Sequence, residues 1–288
     1  MTDNVRGAAL MVLSMLLYVA ENAIVKGLTT VLPPWQILMM TGLGGTLLFG
    51  TITRLRGLPV VTRSLLSRAV LLRSLGEVVG AVGFFLALAF VPLSTASAIL
   101  QALPLIVTMG AALILGESVG WRRWTAVCVG FAGVLLIIRP SADDFNPYAL
   151  LALLAAFGLG FRDLLNRRLP RDIRTLQLTT WGFGMIVLAG ALLMPFGGPA
   201  RMPSPLGFGL LGMVFVLSGL AYYAITASTR LADASVVAPF RYTRLLFALL
   251  LGAAVFGERP DAAMLLGAAL IIGSGLYALV RGQRQGGA

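Results

Sequence analysis

The chain has 288 residues, 58% of them hydrophobic and 11% charged, with a net charge of +11 and a mean hydropathy of +0.93. Soluble domains carry roughly 25% charged residues, so this composition excludes a soluble domain and specifies a membrane protein. With no histidine and a single cysteine, intrachain disulfides, histidine-based metal sites and histidine-dependent triads are excluded as well.

A spanning helix needs about 20 mostly apolar residues. Ten such runs follow one another, at 7–27, 34–53, 68–90, 92–115, 120–138, 146–166, 174–196, 204–229, 232–256 and 261–280. The first lacks a small-residue cleavage site and continues into Glu21-Asn22, so it reads as a retained helix and not as a removed signal peptide. Pro34, Pro92 and Asn146-Pro147 punctuate the starts of later helices. Cys128 lies in the fifth run and reads as a small buried filler.

Fourteen basic residues fall in connections on the side of the N-terminus: Arg6; Arg54, Arg56, Arg63, Arg68; Arg122, Arg123; Arg167, Arg168, Arg171, Arg174; Arg230; Arg281 and Arg284. The other side has four, Lys26, Arg139, Arg201 and Arg259. The positive-inside rule then puts both termini in the cytoplasm. Charges spread over short connections, without interleaved aromatics, also argue against a nucleic-acid partner.

The fourth and ninth runs nearly repeat each other. Ser94 to Glu117 contains Ala96-Ser97, Gln101, Pro104 and a terminal Gly116-Glu117; Ala232 to Glu258 contains Ala234-Ser235, Pro239 and Gly257-Glu258. An offset of about 141 residues also sets Arg162 on Glu21, Asp163 on Asn22 and Gln177 on Gln36. The chain divides into 1–140, a hydrophilic linker 141–145, and 146–288, with five runs on each side of the linker. An odd number per repeat makes the second copy enter the membrane from the opposite face, so the expected fold is all-α, ten transmembrane helices in two inverted five-helix repeats.

The tandem pattern of a Ser/Ala-rich helix start, a mid-helix proline and a terminal Gly-Glu is followed each time by a glycine-punctuated helix (Gly130, Gly133; Gly267, Gly273). It resembles the drug/metabolite transporter superfamily, and within it the EamA-type members, over nearly the whole chain. Among these the sequence is most similar to the YddG-type amino-acid exporters. The resemblance implies a ten-helix carrier of the bacterial inner membrane that moves small metabolites, commonly outward.

Ionisable groups at membrane depth usually face a cavity or a partner. Glu77 and Arg241 each lie roughly 13 Å from their helix starts at about 1.5 Å rise per residue, with Gln101 at similar depth from the other side. A cavity is expected with Glu77, Gln101, Arg241, Tyr242 and Arg244 at its polar waist and Tyr18, Phe84, Trp181 and Tyr222 as walls. Arg241 or Arg244 would meet a substrate carboxylate, and Glu77 or Glu21 an ammonium, so a small zwitterion is the expected guest. The competing reading is that these charges pair across helices; Arg73, a turn and a half into its run, either snorkels outward or pairs with Glu77 at i+4. Glu21, Arg162 and Asp163 are gate or coupling candidates, although uncoupled movement fits the sequence equally. Pro104 and Pro239 would bend their helices at mid-depth, as hinges or as static kinks. Glu117 and Glu258 would cap a following helix or bind an arginine.

The match of Gly207 to Gly212 to G-x-G-x-x-G lies inside an apolar run with no preceding strand and carries no nucleotide loop. Gly76 and Gly80 read first as close helix packing. No Walker lysine, zinc-protease or serine-hydrolase motif is present, and the only adjacent carboxylates are Asp143-Asp144 in the linker. The expected protein is therefore a secondary transporter, with no catalytic residue, metal or cofactor, that exports aromatic or broad-range amino acids or similar small metabolites by alternating access. Exporters of other metabolites or drugs, and a membrane-embedded enzyme, are the alternatives; monomer and homodimer are both compatible.

Overall fold

In the bilayer no water is available to satisfy backbone N–H and C=O groups, so apolar runs of this length must be helical. The computed structural model describes residues 3–116, 120–139, 145–166, 169–170, 172–232 and 234–286. Glu117 and Asp143-Asp144 lie outside the described residues, as does all of the linker except Phe145.

The helices are α1 (Asp3–Leu28), α2 (Pro34–Leu55), α3 (Arg68–Phe90), α4 (Leu93–Leu100), α5 (Leu103–Leu115), α6 (Trp121–Ile138), α7 (Ala149–Leu165), α8 (Thr175–Leu193), α9 (Pro205–Leu231), α10 (Ala234–Val237), α11 (Thr243–Phe256) and α12 (Ala262–Gly286). Among the described residues, nine helical stretches are long and apolar enough to cross a membrane. With 17 residues, α7 is shorter than these nine; its buried face consists largely of Ala152, Ala155, Ala156, Gly158 and Gly160.

Four helix pairs form the frame: α1 on α9, α2 on α8, α3 on α7 and α6 on α12. All four run antiparallel. Ser14 donates to the Ala221 carbonyl at 2.8 Å while Ser228 donates to that of Gly7 at 2.6 Å. Gln36, at the start of α2, donates to the Arg201 carbonyl beyond α8 at 2.6 Å, and Gln177, at the start of α8, donates to that of Pro59 beyond α2 at 2.8 Å. Exchanging the first five spans for the second five converts α1–α9 into α7–α3 and returns α2–α8 and α6–α12 to themselves, so the two halves occupy equivalent places in the packing.

Lipid chains are as apolar as leucine, so helices associate in membranes through close packing of small residues. A Cβ on Gly76 would fall 2.6 Å from the Gly158 carbonyl oxygen, and one on Gly133 2.6 Å from that of Gly267. The Gly76/Gly80 spacing thus serves the α3–α7 contact. Cys128 is exposed on α6, contrary to its expected burial, because α6 buries only the stripe through Ala126, Val127, Gly130, Gly133 and Val134.

Two spans are interrupted. Between α4 and α5, Gln101 and Ala102 make i→i−3 bonds to Ala98 and Ile99 at 3.1 and 3.0 Å, which ends one helix and starts another. Pro104 then sits in the first turn of α5, where its missing N–H costs nothing. Between α10 and α11 the chain forms a 3-10 turn, Ala238–Tyr242, that contains Pro239. The expectation of continuous helices bent at these prolines is corrected: the prolines adjoin true breaks, with two half-helices on either side.

The Gly-Glu motifs close the broken spans. Gly116 (φ 70°) and Gly257 (φ 64°) take the left-handed conformation that ends α5 and α11, a conformation glycine adopts without a Cβ penalty. Beyond Gly257, Glu258 accepts from the Leu93 N–H at 2.6 Å, the Ser94 N–H at 2.9 Å and the Ser94 hydroxyl at 2.6 Å. It therefore caps α4, in the other half of the chain, and not the helix that follows it.

Substituting Gly133 by valine is expected to lower the melting temperature of the detergent-solubilised protein by several degrees, at a cost of about 1–3 kcal/mol for overpacking. Gly184→Ala, where an added Cβ meets nothing within 4 Å, is expected to leave it unchanged; thermal unfolding of the two variants measures the difference.

Candidate functional site

Where the broken spans meet α1, α3, α7, α8 and α9, two connected lobes open inside the bundle. The larger, about 380 Å³, is lined by Tyr18, Glu21, Arg73, Glu77, Arg162, Asp163, Asn166, Thr179, Phe183, Ser218, Tyr222 and Arg241, among others. The smaller, about 250 Å³, includes Tyr18, Glu21, Asn22, Phe84, Gln101, Pro104, Arg162, Asp163, Arg241, Tyr242 and Arg244. Tyr18, Glu21, Arg162, Asp163, Ile225 and Arg241 belong to both.

The charges sort into two groups. In the first, the Glu77 carboxylate is held by Arg73 at 2.9 Å and by Arg162 at 3.0 Å, while Arg162 also holds Asp163 at 2.8 Å. The Arg73 Nε donates to Asn166 at 2.7 Å. Two arginines and two carboxylates make a neutral tetrad that joins α3 to α7. Arg73 is buried at 7% exposure, so of the two readings the i+4 pairing holds and the snorkel does not.

The second group is Glu21, Arg241 and Arg244. Among the described residues, none of these three has an oppositely charged atom within 4.0 Å. The Arg244 guanidinium lies over the rings of Phe84 and Tyr18, with centroids at 5.6 and 5.9 Å, a geometry in which ring faces partly offset lost hydration. Its Nε has no protein partner, nor does the buried Nδ2 of Asn22.

Most of the expected residues converge. Glu77, Gln101, Arg241, Tyr242, Arg244, Tyr18, Phe84, Tyr222, Glu21, Arg162, Asp163 and Pro104 all line one or both lobes. Trp181 does not line them; its indole N–H donates to the Ser74 hydroxyl at 2.8 Å and ties α8 to α3. Pro239 is exposed outside the lobes. Glu77 has its oxygens occupied by two guanidinium groups, so the free carboxylate for a cationic group is Glu21. Arg73, Asn166 and Ser218 were not expected as site residues. Ser218 had a signal, since it sits about 141 residues after Glu77 and takes the equivalent position on α9.

Asn166 and Thr179 place the larger lobe toward the end of α7 and the start of α8. The opposite end of the bundle is fastened by contacts between elements distant in sequence. Arg139 pairs with Asp261, Lys26 donates to the Val91 carbonyl at 2.6 Å, Asn146 to that of Phe90 at 2.9 Å, and Glu258 caps α4. The Met264 backbone N–H and the Arg139 guanidinium hold the Asp261 carboxyl below the usual carboxylate range.

The sequence profile of the EamA-like transporter family matches this chain twice, over residues 5–139 and 146–280. A riboflavin transporter of Vibrio cholerae is 36% identical over 70% of this chain and 68% of its own length. An S-adenosylmethionine uptake transporter of Rickettsia bellii is 28% identical over 72% and 70%. A pseudopaline exporter of Pseudomonas aeruginosa is 28% identical over 92% and 93%. A solved crystal structure at 18% identity superposes with a TM-score of 0.62, covering 97% of this chain and 98% of the other, which is a likeness of fold.

Two outcomes are expected. Glu77→Gln leaves Arg73 and Arg162 short of a counter-charge at buried positions and destabilises the protein by about 3–5 kcal/mol, whereas Glu21→Gln, which breaks no ion pair, melts close to the wild type; thermal unfolding in detergent compares them. Because its folded-state pKa is depressed, Asp261 contributes stability that is complete above its ordinary value of 3.8 and is lost as pH falls through the folded-state value. Asp261→Asn removes that contribution, so its melting temperature falls less than the wild type's on acidification below about pH 4.

Proposed function

Because the chain belongs to the EamA-like transporter family and is a multi-pass membrane transporter, we propose that it carries small carboxylate-bearing zwitterions, of the amino-acid type, out of the cytoplasm by alternating access. The observation that carries this reading is the unpaired group in the cavity. Arg241 and Arg244 offer two cations to a carboxylate and Glu21 one anion to an ammonium, and each is costly to leave buried without a counter-charge. The tetrad around Glu77 holds the walls and leaves these three for the guest.

The same geometry supports the proposed mechanism. The proposed architecture is two inverted repeats, 1–140 and 146–288 joined by 141–145, with both termini in the cytoplasm of a bacterial inner membrane. The antiparallel packing of α2 on α8 and of α6 on α12 supports the inversion, and the arginine bias of the connections supports the orientation. In that orientation the larger lobe lies toward the cytoplasm, and the contacts around Arg139, Asp261, Lys26 and Glu258 join elements of both halves at the outer end. Rocking of one repeat on the other about the breaks at Gln101 and Ala238–Tyr242 would open the outer end in turn.

A second reading is favoured by the aromatic walls. Tyr18, Phe84 and Tyr222 present ring faces to the cavity, which suits a flat heterocycle such as the flavin that the Vibrio cholerae relative is named for. Counterflow in proteoliposomes with labelled amino acids, riboflavin and S-adenosylmethionine separates the two. The zwitterion reading expects amino-acid flux that falls at least about tenfold in Arg241→Ala, the range for a lost charged hydrogen bond. Flux of riboflavin alone, or unimpaired amino-acid flux in a well-folded Arg241→Ala, overturns it.

A further inference from the structure

Resting on the proposed carboxylate-binding role of the cavity, the charge balance and the placement of the arginines narrow the guest, and we infer that the site is built for an amino acid with a second acidic group, carrying one net negative charge. The described lining holds four arginines, Arg73, Arg162, Arg241 and Arg244, against three carboxylates, Glu21, Glu77 and Asp163. The tetrad cancels itself, and the remaining three groups sum to one positive charge. A neutral zwitterion leaves that charge in place inside a low-dielectric site, whereas a guest with two carboxylates and one ammonium neutralises it.

The positions of the groups assign the parts of such a guest. Arg241 and Glu21 each line both lobes. The α-carboxylate and ammonium meet these two residues. The smaller lobe is lined in addition by Arg244, which does not line the larger one. No carboxylate from the described residues reaches Arg244 within 4.0 Å, so the second acidic group of the guest takes that place.

The test uses glutamate and glutamine as probes, nearly identical in shape and different by one charge, in counterflow with the purified full chain in proteoliposomes. Glutamate is expected to have a kcat/KM at least about tenfold above glutamine, from a charge-assisted pair absent in the amide. Arg244→Gln is expected to abolish or reverse this preference; its size-exclusion profile checks that the variant is folded. If glutamine moves as well as or better than glutamate, and Arg241→Ala abolishes both, the narrower assignment is overturned and the zwitterion reading stands. If neither probe moves nor competes with any other amino acid, both fail.

Discussion

A carboxylate inside a membrane bundle has to be compensated or it destabilises the fold, and Glu77 is compensated from two directions. Arg73, one turn earlier on α3, takes one oxygen, and Arg162, reaching across from α7, takes the other. The rest of the interior depends on this arrangement. It fastens the α3–α7 pair over the glycines that bring the two helices together, it occupies Arg162 and Asp163, and it leaves the opposite wall to α1 and α9, where Glu21 and Ser218 stand in the equivalent positions. With a carboxylate where the first wall has Arg162 and a serine where it has Glu77, the second wall holds no ion pair of its own among the described residues. The pseudo-symmetric fold thus contains a chemically asymmetric cavity, one side neutral and closed upon itself, the other carrying Glu21, Arg241 and Arg244.

The broken spans supply the other half of the design. An unbroken helix would satisfy every backbone group and present only side chains to the interior. At the breaks in the fourth and ninth spans, Gln101, Arg241, Tyr242 and Arg244 come to line one lobe. Each half of the chain also stabilises the other at the bundle ends. Glu258 caps α4, while Gln36 and Gln177 bind the backbone of the opposite half's connection. Gly257-Glu258 thereby acts as one unit: the glycine turns the chain left-handed so that the carboxylate reaches donors across the interface between halves.

Some of this was readable from residues alone because it is local. Membrane-length helices follow from apolar runs, and the equivalence of the halves follows from motifs repeated at a nearly constant offset. The convergence of Glu77, Arg162, Arg241 and Arg244 follows from the cost of a charge at membrane depth, which forces it inward. The pairing pattern is different. Glu77 and Glu21 are both single carboxylates in apolar runs; Arg73 at i−4 is legible as a partner of Glu77, but only the register of α3 against α7 adds Arg162. Trp181 and Cys128 were misassigned for the same reason: with apolar residues all round a membrane helix, no periodicity tells the lipid face, the partner face and the cavity face apart.

Composition, span lengths and the internal repeat therefore determined that this is a helical membrane protein of two equivalent halves, because each rests on an energy paid residue by residue: hydration of side chains and of backbone. Which charges neutralise one another, which donors stay free, where the spans break and which end is fastened were decided by tertiary structure. Those properties depend on angles and distances of a few ångströms between helices that lie from 56 to 165 residues apart in the chain, and the sequence order of the residues carries no record of them.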